Sequence, residues 1–193
     1  MILKKSNIID IQIGQNISDF DVNLVDFLFI ESSVGNSITN GEISKICQYL
    51  DENGKIPNFT HSYQNIGEDQ SEFFIESIRN YISEDSLIAI ELSIDDNFNR
   101  DKFINFLESI IKEFNIKPYL KISIYDENIN NLEFLKDFPL WLKYYKDYKI
   151  LNDFKDINFN IKLKNWNKAE IIQYTSRGKL RNYNEIFNFS KII

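Results

Sequence analysis

The sequence predicts an α+β fold: a mixed β-sheet containing a βαβ unit, several amphipathic helices packed on it, and an antiparallel C-terminal hairpin. Three observations predict it. Segments with the two-residue period of strands alternate along the chain with segments of helical period. The stretch Ser86 to Asn128, SLIAIELSIDDNFNRDKFINFLESIIKEFNIKPYLKISIYDEN, reads as strand, helix, strand, a crossover if the strands are parallel. Towards the end, INFNIKLK alternates apolar and polar residues without a break, and EIIQYTS can return antiparallel to it after a turn at WNKA.

The first third supplies two strands and a helix. In NIIDIQIG, Ile9, Ile11 and Ile13 alternate with Asp10 and Gln12, the pattern of a half-buried strand. NLVDFLFIESSV is more continuously apolar, as for a strand covered on both faces. Asn40 and Gly41 open a helix through EISKICQYLDEN, with Ile43, Ile46, Cys47 and Leu50 on one face, and Asn53-Gly54 ends it. Lys55 to Asp69 has no period, and Pro57 and Gly67 mark it as a loop of a length that is usually functional or mobile. After Ser71, Phe74, Ile75, Ile78 and Ile82 give a second amphipathic helix.

Leu87, Ile88, Ala89 and Ile90 form a near-continuous apolar run, as in a central strand. The helix after it has the cleanest stripe in the chain: Phe103, Phe106, Leu107, Ile110, Ile111 and Phe114, with Asn97 or Asn99 as N-cap. YLKISIYD follows Pro118 as a strand. Another helix is expected from Leu132 to Tyr148, bent near Pro139 and carrying Leu135, Phe138, Leu142 and Tyr145. The final KLRNYNEIFNFSKII fits either a strand or a helix.

Bulk properties bound the class. Residues 1–193 make one domain, and a chain of this length buries roughly 70% of its unfolded surface without needing a disulfide or metal staple. The single cysteine, Cys47, excludes an internal disulfide framework and a cysteine-rich zinc site, and its apolar neighbours mark it as a small buried hydrophobe. The single histidine, His61, lies in a polar, loop-like stretch, where a metal site or triad would need partners from elsewhere. Isoleucine, asparagine and lysine are abundant and alanine scarce, as AT-rich coding produces, so asparagine is discounted as a turn former. The chain opens without a signal-peptide pattern, and no apolar run approaches the ~18 residues that span a bilayer. A soluble, cytoplasmic protein of bacterial or phage origin, with no membrane partner, is expected.

Four acids sit at the ends of the two strands in the Ser86–Asn128 stretch: Asp95 and Asp96 after the first, Asp126 and Glu127 after the second. In a right-handed crossover all four gather at the carboxyl edge of the sheet, where open α/β sheets place ligands. Crowded carboxylates raise one another's pKa values or recruit a divalent cation. The plainer explanation is that aspartate after a strand caps the next helix or hydrates a turn. No lysine or histidine is spaced as a metal-dependent nuclease requires, so no catalytic residue and no metal ligand is assigned. The four acids are read as partner-binding.

Charge is lopsided. From Lys155 onward there are eight Lys or Arg against three acids, whereas the preceding residues hold 14 against 26, within a net charge of −7. Arg177, Lys179 and Arg181 form a compact basic cluster among Phe159, Trp166, Tyr174, Tyr183 and Phe187, a mixture able to bind phosphates and stack on bases. There is no glycine-rich phosphate loop, no Gly-x-Ser-x-Gly and no zinc-ligand spacing, and no cofactor is expected.

The reading that results is an acidic binding protein, not an enzyme, that neutralises a macromolecular target as immunity proteins, antitoxins and phage anti-defence inhibitors do. Its target is expected to be a protein with a basic surface, reached by electrostatic steering. Two alternatives stand beside it. One is a nucleic-acid-binding accessory protein using Arg177, Lys179 and Arg181. The other is a divalent-metal-dependent phosphodiesterase or nuclease built on the acidic strand ends.

Overall fold

The computed structural model describes residues 6–15, 17, 20–66, 69–94, 98–125, 129–145, 149–155, 159, 161, 163–180, 183 and 185–193. In chain order the strands are β1 (Asn7–Ile11), β2 (Phe27–Val34), β3 (Ile38–Thr39), β4 (Asn58–Tyr63), β5 (Ile88–Leu92), β6 (Tyr119–Ser123), β7 (Leu140–Lys143), β8 (Leu151–Asn152), β9 (Ile171–Lys179) and β10 (Phe187–Ile192). The helices are α1 (Ile43–Glu52), α2 (Ser71–Ile78) and α3 (Arg100–Phe114), joined by short 3-10 turns at Val22–Leu24, Ile129–Asn131 and Glu133–Leu135.

The sheet closes on itself. β1 pairs in parallel with β2 on one side and antiparallel with β10 on the other, and the path between them runs β2, β4, β5, β6, β7, β9, β10. The result is a closed eight-stranded mixed barrel of the TIM type with few helices. Seven strands run parallel and β10 alone runs against both its neighbours. β3 folds back on β2, and β8 adds to β9 outside the ring. This corrects the α+β reading. A closed barrel needs β1 to bond both the second strand and the last, and neither long-range pairing leaves a trace in local periodicity.

Three further expectations are corrected. The aperiodic stretch from Lys55 to Asp69 contains β4, a barrel strand. The helix expected over Leu132 to Tyr148 is replaced by 3-10 turns and β7, with Leu140, Trp141 and Leu142 all fully buried between lumen and helical layer. The hairpin partner INFNIKLK is not a strand at its described residues Phe159, Ile161, Leu163 and Lys164; β9 pairs antiparallel instead with the C-terminal β10.

The helices form for the reasons their sequences suggest. In α3 the Asn99 side chain accepts from Lys102 N at 3.0 Å, and Asn115 closes the helix in the left-handed region at φ 56°. Its stripe, Phe103, Phe106, Leu107 and Ile110, is buried against the outer face of the barrel. Cys47 is buried in α1, where its apolar surroundings push the thiol up to about 12. No helix among the described residues is long and apolar enough to cross a membrane.

Candidate active site

Successive residues of a barrel strand point alternately into the lumen and out to the surrounding layer. The lumen-facing residues nearest the N-terminal ends of the parallel strands are apolar: Ile8, Phe29, Ala89, Trp141 and Ile171, joined by Ile192 from β10. Two residues further along each strand, the next lumen position is polar. Ile8 gives way to Asp10, Phe29 to Glu31, Ala89 to Glu91, Tyr119 to Lys121, Trp141 to Lys143 and Ile171 to Gln173. Thr60 on β4 and Asn188 and Ser190 on β10 complete the polar tier. It lies at the C-terminal face of the parallel strands, where barrels of this type place their chemistry.

A chain of ion pairs crosses this tier. Lys121, 1% exposed, is in direct contact with an Asp10 carboxylate oxygen, and its Nζ lies 2.8 Å from Glu91 Oε2. Lys143 Nζ lies 2.6 Å from the other oxygen, Glu91 Oε1. Thr60 Oγ1 donates to Asp10 Oδ1 at 3.3 Å and Asn188 Nδ2 to Oδ2 at 3.4 Å. Beneath Lys121 lies the Trp141 ring, 5.1 Å from the ammonium, with its indole N–H donating to Ser190 Oγ. Beside the chain, Glu31 accepts from Ser62 Oγ at 2.7 Å and from Ile13 N at 3.2 Å.

The electrostatics follow from this geometry. Burial alone would raise the Glu91 carboxyl, but Lys121 and Lys143 outweigh it and hold the group down at about 2. Burial would lower the Lys121 ammonium, and Asp10 and Glu91 overcome that and push it above its ordinary value. The Tyr145 phenol is raised to about 12, chiefly by burial, so it carries its proton at neutral pH. Asp10 is 3% exposed, whereas Glu91 keeps 30% of its side chain open and Lys143 19%. The inner half of the chain is therefore sealed and the outer half faces the mouth.

Chemically the tier offers an ionised, oriented carboxylate at the mouth, fixed by an inner ammonium that has no room to move. It does not offer a proton from Glu91. Among the described residues, no group of His, Cys, Asp and Glu is arranged to hold a metal ion.

The sequence-derived site residues that are described lie outside this tier. Asp95, Asp96, Asp126, Glu127 and Arg181 fall outside the described residues. Arg177 and Lys179 are exposed on β9, separated by buried Gly178. The aromatic residues expected to stack on bases are structural: Trp166 donates its indole N–H to Phe138 O, and Tyr174 and Phe187 are buried. His61, placed in a loop by its sequence, is fully buried on the outer face of β4, with Nδ1 2.9 Å from Ser33 Oγ and its ring between Phe74 and Phe106. Sequence reasoning missed Asp10, Glu91, Lys121 and Lys143. The available signal was the recurrence of one polar residue two positions after an apolar lumen residue in six separate strands.

The fold is shared with solved structures. The chain is similar to the CTP1L endolysin (17% identity, TM-score 0.71), covering 97% of this chain and 66% of that one. It is also similar to a muramidase from Acremonium alcalophilum (15% identity, TM-score 0.71, covering 97% and 93%). A third similar structure is the spore cortex lytic enzyme SleM of Clostridium perfringens (13% identity, TM-score 0.77, covering 98% and 67%). No curated protein sequence matches. The model of one family, glycosyl hydrolases family 25, matches residues 9–183. That match overturns the expectation of a non-enzymatic inhibitor, immunity protein or antitoxin, and the nuclease alternative with it; it points to a glycosidase. With most of the chain inside the match, the chain belongs to glycosyl hydrolases family 25.

Proposed function

We propose that the chain hydrolyses a glycosidic bond in the glycan of the bacterial cell wall, as a muramidase does, at the C-terminal mouth of the barrel. The observation that carries this reading is the polar tier of Asp10, Glu91, Lys121 and Lys143 at that mouth in a family 25 chain. Family membership and the endolysin, muramidase and cortex-lytic relatives support it.

Glycoside hydrolysis passes through an oxocarbenium-like transition state. It uses one ionised carboxylate and one protonated carboxyl that donates to the leaving oxygen. Glu91 suits the first role, since it stays ionised and part of it faces solvent. Lys121 and Asp10 act beneath it, fixing its position without touching the sugar. The proton comes from a carboxyl outside this ion-pair chain. Asp95 and Asp96 follow β5 in sequence and Asp126 and Glu127 follow β6, the two strands that carry Glu91 and Lys121, so these four are the side chains to test.

The test is release of reducing ends from purified peptidoglycan. Glu91→Gln is expected to lower turnover by about 10²–10³-fold, the usual loss when one transition-state-stabilising group is removed. Amide substitution of the proton donor among the four acids should do the same and abolish the basic limb of the pH profile. Glycan retained on the protein with no reducing ends released, by wild type under any pH, would count against hydrolysis.

A further inference from the structure

We propose that Lys143 is a positioning residue that sets the charge state of Glu91 at the mouth, and through it the acidic limit of the proposed hydrolase. This rests on the glycosidase reading of the same site. The two ammonium groups that hold Glu91 differ in kind. Lys121 is sealed between Asp10 and Glu91, over the Trp141 ring, and belongs to the structural floor. Lys143 reaches Glu91 Oε1 from the last position of β7, on the far side of β6, and keeps 19% of its side chain in solvent. It can be removed without opening the floor.

Among the described residues, the charged and titratable groups around Glu91 come from several strands. Asp10 on β1 and Lys121 on β6 lie below it, Lys143 on β7 lies beside it, Glu31 on β2 reaches Ser62 on β4, and Tyr145 beyond β7 contributes a phenol. Burial works against ionisation of Glu91, and the lumen below it is apolar. One lysine facing two neighbouring carboxylates, Asp10 and Glu91, is shared between them. The second lysine gives Glu91 a cation of its own. Without Lys143, Asp10 remains in direct contact with Lys121, and Glu91 keeps one shared partner in a desolvated site. Its carboxyl then gains a proton at a higher pH.

The deciding measurement is the carboxyl-carbon NMR titration of Glu91 in the full chain, for wild type, Lys143→Met and Lys143→Arg. Lys143→Met keeps most of the unbranched side chain and removes the charge. Its Glu91 midpoint is expected to rise by about one unit or more, and Lys143→Arg to restore the wild-type value. On peptidoglycan the acidic limb of the pH–rate profile should move with it, which a packing role for Lys143 would not produce. An unmoved Glu91 midpoint in a folded Lys143→Met protein overturns the inference. A midpoint that moves in a chain without turnover leaves the role of Lys143 standing and rejects the hydrolase reading alone.

Discussion

The lumen of this barrel has two tiers that share strands but not physics. In the lower tier Ile8, Phe29, Ala89, Trp141, Ile171 and Ile192 fill the space with apolar volume. Two residues along the same strands, the upper tier sets two ammonium groups against the carboxylates of Asp10 and Glu91, with Glu31 beside them. The lower tier is stabilising in itself, because apolar burial is favourable wherever packing is tight. The upper tier is not. Desolvating those ions costs several kcal/mol each, and their attraction offsets the loss only when every partner is in place. A barrel that needed stability alone could have continued the apolar plug to its rim. The upper tier is therefore the part of the lumen that stability does not explain, and function must.

The largest expected stability effect breaks the upper tier at its centre. Lys121→Met leaves Asp10 buried with Thr60 and Asn188 as its partners among the described residues, and is expected to destabilise the chain by about 3–5 kcal/mol in urea unfolding. Combining it with Asp10→Asn should recover most of that loss, since the orphaned charge goes with the lysine. If Lys121→Met were near neutral, the two tiers would not differ in the way described.

The comparison also shows which parts of the molecule were legible in sequence. The α3 stripe was, because a helix packed on one side of a barrel needs only one apolar face, and Asn99 announces its start. Asp10 was misread. The alternation in NIIDIQIG is real, but the polar side of that strand faces a closed lumen, not solvent. NFTHSY was missed for a related reason: Asn58, Thr60 and Ser62 turn inward while Phe59, His61 and Tyr63 turn to the helices, so both faces carry polar groups. Leu135, Phe138, Leu142 and Tyr145 imitate a helical stripe across a 3-10 turn and a strand, and local spacing holds nothing that separates the two. Barrel closure and the gathering of Asp10, Glu91, Lys121 and Lys143 depend on pairings between strands far apart in the chain.

Acid sharpens the contrast between the lumen and the layer outside it. His61 sits behind β4, and burial lowers it from 6.5 to about 4, against the hydrogen bonding of Gln70 and Ser33. The unfolded chain takes up a proton there before the folded chain does. Stability is therefore full above pH 6.5 and falls as pH drops towards 4, by up to roughly 3 kcal/mol. Glu91 contributes in a different window. Its carboxyl is lowered from 4.5 to about 2, so its share is intact above 4.5 and is lost only below that. Urea midpoints between pH 7.5 and 3 should show the two slopes in succession, and His61→Asn should flatten only the first. A single slope beginning below 4.5, unaffected by His61→Asn, would put the histidine outside the account.

The smallest effect is expected where sequence reasoning saw a nucleic-acid contact. On β9, a Cβ on Gly178 would sit 2.5 Å from the Phe189 ring, so glycine is what lets β9 and β10 close at that point. Arg177 and Lys179 flank it on the opposite, exposed face, and Lys179 pairs through its backbone with the short β8. Charged side chains belong on an exposed outer face, which accounts for this position without a polyanion. Arg177→Gln combined with Lys179→Gln should change stability by no more than about 0.5 kcal/mol and leave peptidoglycan turnover unchanged. Loss of turnover in that pair would extend the active region across the barrel wall to β9, and would erase the distinction between a working lumen and an inert exterior.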